Sequence, residues 1–434
     1  MTICRFAGGR LAVAALFATC FLAAWTPAPA AAAEPVCESA DAGGLWTHNE
    51  VEAARRLIAA MHEKERQGAS WDNPMFSFIY DNMPVDDPTM GQHPMSGLQF
   101  RLRQTIPLPG KNAAQVDVAR NMGVEARWQC EAKFIELSAL AERTRWEIAK
   151  ARRLREIAVE RRDFLRRTVG AVESAWRQGQ SNSVMTLRMQ VMAEKLTEKI
   201  DDLTAREASL VANLNALLQR PLGTPIEPPA LSAAEPPSEE YETLLHDIHL
   251  HSPHHQRLLA SVETQRLQAA SAGRNGLPDP SLIVGYRIRD EIPGMDEGDD
   301  FVSAGIEFPI PFNYGARFAS AKREALSRAE SSQAAHDALM DKTEGDLSAL
   351  LTRWRRAYDR AGRLASALIP RATSALDAAT AEYRSGRAGL SALDDQQAEL
   401  SELRTMLAEA QFETHDMQIQ LAAMRGRDAS EVAK

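Results

Sequence analysis

GLQFRLRQTIPLPGKN, residues 97–112, decides how the chain folds. Leu98, Phe100 and Leu102 fall on one side of its first half, and Gln99, Arg101 and Arg103 on the other. Period-two alternation makes a strand with one apolar and one wet face. Pro107 and Pro109 end that strand. From Asn112 to Arg177 there is then no proline, and the glycines Gly123 and Gly170 are tolerable inside a helix. Those 66 residues predict one helix of about 100 Å at 1.5 Å per residue.

Working outward, the same grammar recurs. Asn73-Pro74-Met75 returns as Asp279-Pro280-Ser281, an offset of 206 (280 − 74). The prolines after Ile106 return after Phe308, an offset of 202 (309 − 107). Trp176-Arg177-Gln178-Gly179 returns as Tyr383-Arg384-Ser385-Gly386, an offset of 207 (386 − 179), which Gln190 and Gln397 keep. Three landmarks in one order make a duplicated unit. Each copy holds two strands and two helices. In the first, Met75 to Met83 puts Phe76, Phe78 and Tyr80 on one side. In the second, Leu282, Val284, Tyr286 and Ile288 oppose Gly285, Arg287 and Arg289, and Val302, Ala304, Ile306 and Phe308 oppose Ser303, Gly305 and Glu307. Polar loops at 84–96 and 291–300 join each pair. Segments of about ten residues suit tilted membrane strands. Four strands cannot close a barrel, and an open edge in lipid costs several kcal/mol per unpaired group. Several chains must then share one wall.

The second long helix is expected over Arg317 to Arg384, kinked at Pro370. Gly179 and Gly386 turn the chain, and shorter helices return. Leu196, Ile200, Leu203, Leu210, Leu214 and Leu217 form one heptad seam; Leu400, Leu403, Leu407, Ala410, Met417, Leu421 and Met424 form the other. The return helices are too short to cover the outgoing ones. Helices at about Val51 to Gln67 and Pro253 to Ala272 have nearly the missing length and are expected to stack end to end with them.

Of 434 residues, 44% are hydrophobic and 25% charged, so the chain is neither disordered nor a bundle of membrane helices. Fifty Lys and Arg against 59 Asp and Glu give −9, which argues against a nucleic-acid binder. Arg5, Arg10 and the apolar run Leu11 to Trp25, followed by TPAPAAAAEP, read as an export signal cleaved near Ala33. Cys4 and Cys20 leave with it; lipidation at Cys20 stays open, with Thr19 a poor fit to a lipoprotein box. Cys37 and Cys130 remain, either bridged or as two free thiols.

LRQTIPLPGKN at 102–112, LPDPSLIVGY at 277–286, FPIPFNYGAR at 308–317 and YRSGRAGLSALDDQQAEL at 383–400, in this duplicated order, resemble the TolC-like outer-membrane efflux factors across nearly the whole mature chain. The first two strings are nearer the heavy-metal branch (CusC and CzcC types) than the drug branch. The resemblance implies a mostly α protein with membrane β: a TolC-like α-helical barrel on a 12-stranded β-barrel closed by a homotrimer. It implies outer-membrane lipid around the β-barrel, a periplasmic extension, a periplasmic adaptor (membrane fusion) protein and an inner-membrane RND-type pump. The chain then divides into a signal peptide (1–33), an N-terminal periplasmic helix region (34–72), a first hairpin (73–110) and coiled-coil helices (111–220). An equatorial region (221–278), a second hairpin (279–312), a second set of helices (313–425) and a tail (426–434) follow. The tips, with SNSVMTL at 181–187 and RAGLSAL at 387–393, are the expected adaptor contacts.

No catalytic motif, cofactor signature or nucleic-acid patch is present, and no enzyme is expected. Arg101, Arg103, Arg287 and Arg289 either ring a barrel lumen or pair locally with acids such as Glu307. In the family an aromatic three residues before the second turn glycine and acids six and nine after it close the tip. Those places hold Tyr383, Ala392 and Asp395, with Asp394 beside the retained acid. They form a carboxylate gate or an ordinary solvated turn. His246, His249, His251, His254 and His255 crowd HDIHLHSPHH. They bind a borderline metal or are surface residues, split by Ser252-Pro253 as a helix start. Met83, Met90, Met95 and His93 are weaker soft-metal candidates. The expected function is a passive exit duct for heavy-metal cations; the alternatives are the same duct for organic compounds and a soluble periplasmic coiled-coil scaffold.

Overall fold

The computed structural model describes residues 45–82, 85–86, 93–176, 183–292, 294 and 298–432. The expected signal, Cys37, Gly179, Met83 and Met90 lie outside them. After a short turn at Leu45–Thr47 come α1 (Asn49–Ala69), β1 (Met75–Asp81), β2 (Gly97–Thr105), α2 (Lys111–Trp176) and α3 (Ser183–Leu217). The second copy holds α4 (Tyr241–His251), α5 (Pro253–Asn275), β3 (Ser281–Ile288), β4 (Phe301–Glu307), α6 (Ser320–Arg363), α7 (Ile369–Arg384) and α8 (Leu390–Met424). A last turn, α9 (Ala429–Val432), closes the chain.

The duplication is visible in the element bounds. α3 and α8 are both 35 residues long and sit 207 positions apart (390 − 183 and 424 − 217). α1 and α5 end 206 apart (275 − 69), as β1 and β3 begin (281 − 75). α2 runs 66 residues without interruption. Its counterpart carries an irregular turn just before Pro370, where the kink is expected. Pro370 has no N–H and its ring would strike the carbonyl one turn back. The chain absorbs this by widening into a π turn at Leu364–Leu368, so the helix carries on through into α7. A second π turn, Gly315–Ala319, opens α6.

End-to-end stacking of the short helices holds. α1 covers the first half of α2, where Arg120 meets Glu65 at 2.9 Å, and α3 covers the second, where Arg152 meets Glu207 at 3.0 Å. α5 and α8 do the same for α6 and α7. At the second joint Gly426 (φ +67°) lies so close to the carbonyl of His251 that a Cβ would stand 2.5 Å from it. Only glycine fits there. All the heptad-seam residues are buried or half-buried.

An apolar cluster of nine buried residues forms a belt at mid-length. Leu244, Leu245 and Ile248 of α4 pack on Leu347, Leu350, Leu351 and Trp354 of α6 and on Met417 and Leu421 of α8. The proline-rich link between the copies is sewn into it: the Trp354 indole donates to the Ala234 carbonyl at 3.0 Å, and the Ala234 amide donates to Thr414 Oγ1 at 3.0 Å. His415 stacks on Trp146 with ring centres 3.4 Å apart.

Candidate functional site

The four strands make one antiparallel sheet in the order β1-β2-β3-β4. Its register decides which side chains share a face. Phe76, Phe78 and Tyr80 oppose Leu102, Phe100 and Leu98, which oppose Val284, Tyr286 and Ile288; Val302 and Ala304 complete the row. This side is wholly apolar but for the tyrosine hydroxyls. Phe76 is 64% exposed, Val302 74% and Ile306 63%, so nothing among the described residues covers it. A soluble hairpin would bury such a row. The strands have 7, 9, 8 and 7 residues, somewhat shorter than the ten expected.

Arg101, Arg103 and Arg287 share the opposite face with Gln99, Ser303 and Glu307, and Arg289 follows the end of β3. Arg103 pairs with Glu307 at 2.7 Å. Both are substantially exposed, so this bond contributes little to stability. Arg287 donates to the Met95 carbonyl at 2.5 Å; Arg289 donates to the carbonyls of Pro94 at 2.7 Å and Asp299 at 2.9 Å. Arg101 reaches Gln99 at 3.3 Å. Within one chain, local partners engage all four.

Below the sheet, two of the quoted sequence strings meet. Lys111, at the start of α2, extends its ammonium to Asp279 Oδ2 at 2.8 Å and also donates to the Leu277 carbonyl; the Leu108 amide donates to Asp279 Oδ1 at 2.9 Å. Lys111 is buried. The clamp ties the exit of the first hairpin to the start of the second. A separation of 168 residues carries no local signal, so nothing in the sequence alone pairs Lys111 with Asp279.

At the opposite end α7 stops in a complete Schellman motif. Gly386 adopts φ +74°, its amide donates to the Tyr383 carbonyl, and the Arg387 amide donates to the Glu382 carbonyl at 2.9 Å. Gly389 then caps α8. The two adjacent acids separate here, which corrects their treatment as a pair. Asp395 is exposed, whereas Asp394 is buried and turned toward Arg161 of α2, 4.0 Å away. Burial raises the Asp394 pKa, Arg161 opposes that rise and Asp395 adds to it. Tyr383 is half-buried. Successive helical residues point about 100° apart, so one face buries Asp394 as it exposes its neighbour.

No protein-family profile matches the sequence, and no curated protein matches it either. Solved structures do. The outer membrane protein VceC from Vibrio cholerae superposes with a TM-score of 0.72 at 16% identity, covering 88% of this chain and 94% of that one. CusC, described for its transmembrane channel formation, gives 0.71 at 16% identity, covering 93% and 99%. The open state of the Neisseria gonorrhoeae MtrE outer membrane channel gives 0.69 at 14% identity, covering 93% and 97%. The fold is that of the outer-membrane channels. Among the described residues no helix is long and apolar enough to cross a membrane.

In this channel fold the histidine run lies at the belt. Ser252 ends α4 and Pro253 begins α5, as the sequence implied, and this splits the run. His246 and His254 are exposed. His251 faces Asp247 at 2.9 Å. Asp247 is itself gripped by Arg425 at the end of α8 and Arg427 of the tail. His249 and His255 instead turn inward and meet His336 of α6, which the sequence reading did not include. Burial, then the neighbouring His249, His336 and His254, push the His255 pKa down to about 4. Among the described residues no group of three or more His, Cys, Asp or Glu side chains is placed where it could hold a metal ion. Cys130 is fully buried and disulfide-bonded.

Proposed function

We propose that this chain is the outer-membrane exit duct of a tripartite efflux system, working as a homotrimer whose three sheets form one 12-stranded wall. The observation that carries it is the sheet: a continuous exposed apolar face, with β1 and β4 at its edges among the described residues. Open edges and an uncovered apolar face are both costly unless neighbouring copies pair the edges and lipid meets the face. The soluble-scaffold alternative leaves both unexplained. Outer-membrane location follows from the same need and from the fold of the solved channels. The export signal at 1–33 belongs to this proposal.

The arginines of the wet face would ring the lumen, and Asp395 at the tip would gather cations. Val184, Leu187 and Val191, spaced i, i+3 and i+7 on α3, are 70%, 61% and 55% exposed and give an adaptor's helices an apolar stripe to dock on. Passive conduction requires no catalytic centre; the energy comes from an inner-membrane RND-type pump. We assign heavy-metal cations as cargo on the sequence strings near the metal branch; organic compounds are the second reading. Deletion of the gene should sensitise cells to zinc, copper or cobalt salts and leave tolerance of dyes and detergents unchanged. The reverse pattern assigns organic cargo. Recovery of the protein as a monomer in the periplasmic extract overturns the duct altogether.

A further inference from the structure

The joint below the sheet exists once within the chain, although the duplication supplies its parts twice. The exit of β2 is clasped to the entry of β3. The Ile106 amide donates to the Pro280 carbonyl at 2.8 Å, and the Leu108 amide donates to Asp279 Oδ1 at 2.9 Å. Lys111 adds its ammonium to Asp279 and to the Leu277 carbonyl. Leu108, Asp279 and Pro280 are half-buried as a result. Adding 202 carries Ile106, Leu108 and Lys111 onto Phe308, Ile310 and Asn313; subtracting 206 carries Leu277, Asp279 and Pro280 onto Trp71, Asn73 and Pro74. These second parts stand apart, at the exit of β4 and the entry of β1, on opposite edges of the sheet. Every residue from Trp71 to Phe76 and from Phe301 to Arg317 is exposed, with Ile310 at 70%.

The polar pair differs on both sides at once. Where the inner joint has Lys111 and Asp279, the outer parts have Asn313 and Asn73. Changing one partner alone would bury a charge unpaired, whereas two carboxamides keep the joint balanced. Asn73 Oδ1 can accept the Ile310 amide as Asp279 accepts that of Leu108, and Asn313 Nδ2–H can donate to the Trp71 carbonyl as Lys111 donates to that of Leu277. Neutral groups also shed water at less cost than ions, which suits a joint made only when folded chains meet. We infer that residues 308–313 of one copy clasp Trp71, Asn73 and Pro74 of a second copy of this chain, with the Asn313–Asn73 pair in place of the Lys111–Asp279 clamp. The Phe308 amide then donates to the Pro74 carbonyl, which continues the β4–β1 pairing between copies. The inference rests on the trimeric reading above and assigns the residues that join copy to copy just below the wall.

The test uses full-length protein in detergent, with the mass of the assembly read by light scattering. Asn73→Asp and Asn313→Lys each put one charge into the joint without its partner. Each should shift the balance between trimer and single chains at least about tenfold toward single chains. The two substitutions together rebuild the inner clamp between copies and should return that balance to the wild-type value. Both positions are exposed within one chain, so helix content by circular dichroism should be the same in all three variants. Should a single variant fail to fold or assemble, its recovery in the double variant carries the comparison. Single variants as trimeric as the wild type, or a double variant no better than the weaker single, would overturn the joint and leave the trimer standing. Wild-type protein found only as single chains would overturn the trimer and the joint with it.

Discussion

At the scale of single residues, burial decides what a charge can do. Asp394 and Asp395 are neighbours in sequence with opposite environments. The Asp395 carboxylate is exposed at the tip, so Asp395→Ala should raise single-channel conductance and weaken block by multivalent cations in planar bilayers. Asp394→Asn should leave both as they are. Its effect should be on stability instead. A carboxylate whose folded pKa lies above its unfolded value contributes stability at pH below the unfolded value, and loses it as pH rises through the folded one. Asp394→Asn should therefore melt higher than the wild type at neutral pH and converge with it in acid. His415 runs the other way. Burial lowers its pKa below 6.5, so the stability held by its stack on Trp146 is complete above that pH and drains away as pH falls beneath it. His415→Gln should flatten the melting temperature between pH 7 and pH 5; an unchanged slope would remove this assignment.

At the scale of elements, turns and joints carry the architecture. Gly386 sits in the left-handed region that a side chain enters at a cost of roughly 1–2 kcal/mol. Gly386→Ala should destabilise the tip by about that amount. Amide exchange should quicken over residues 380–392 and stay constant in the sheet. The clamp below the sheet is a stronger case. Lys111→Met leaves Asp279 without its partner in a half-buried place, and breaking such a pair costs about 3–5 kcal/mol. The expected loss is read as a lower melting temperature, partly restored by adding Asp279→Asn.

For the whole molecule, the duplication predicts how copies meet. β2 and β3 pair with Arg103 opposite Ile283. Moving β2 by 202 positions onto β4, and β3 back by 206 onto β1, sets Gly305 of one copy opposite Ser77 of the next. Gly305→Cys combined with Ser77→Cys should oxidise to a covalent ladder ending at three chains on a denaturing gel. Gly305→Cys with Phe76→Cys should not, because Phe76 points to the other face. A ladder from the second pair instead would mean a register slipped by one, which turns every side chain over.

The sequence by itself determined the elements and their repetition. Alternation, proline-free length and heptad spacing are local patterns, and each is imposed by the geometry of one strand or one helix. So the 66-residue helix, the four strands, the Ser252-Pro253 break and the glycine turn at Gly386 were all legible. Pro370 was legible as a disturbance; that a π turn precedes it was seen only in the structure. Tertiary structure alone decided which side chains meet: Lys111 with Asp279, Asp394 with Arg161, and His336 with His249 and His255. Such contacts join residues far apart along the chain, and helix phase selects which neighbour turns inward. A small difference in that phase sends one histidine into the belt and the next into solvent.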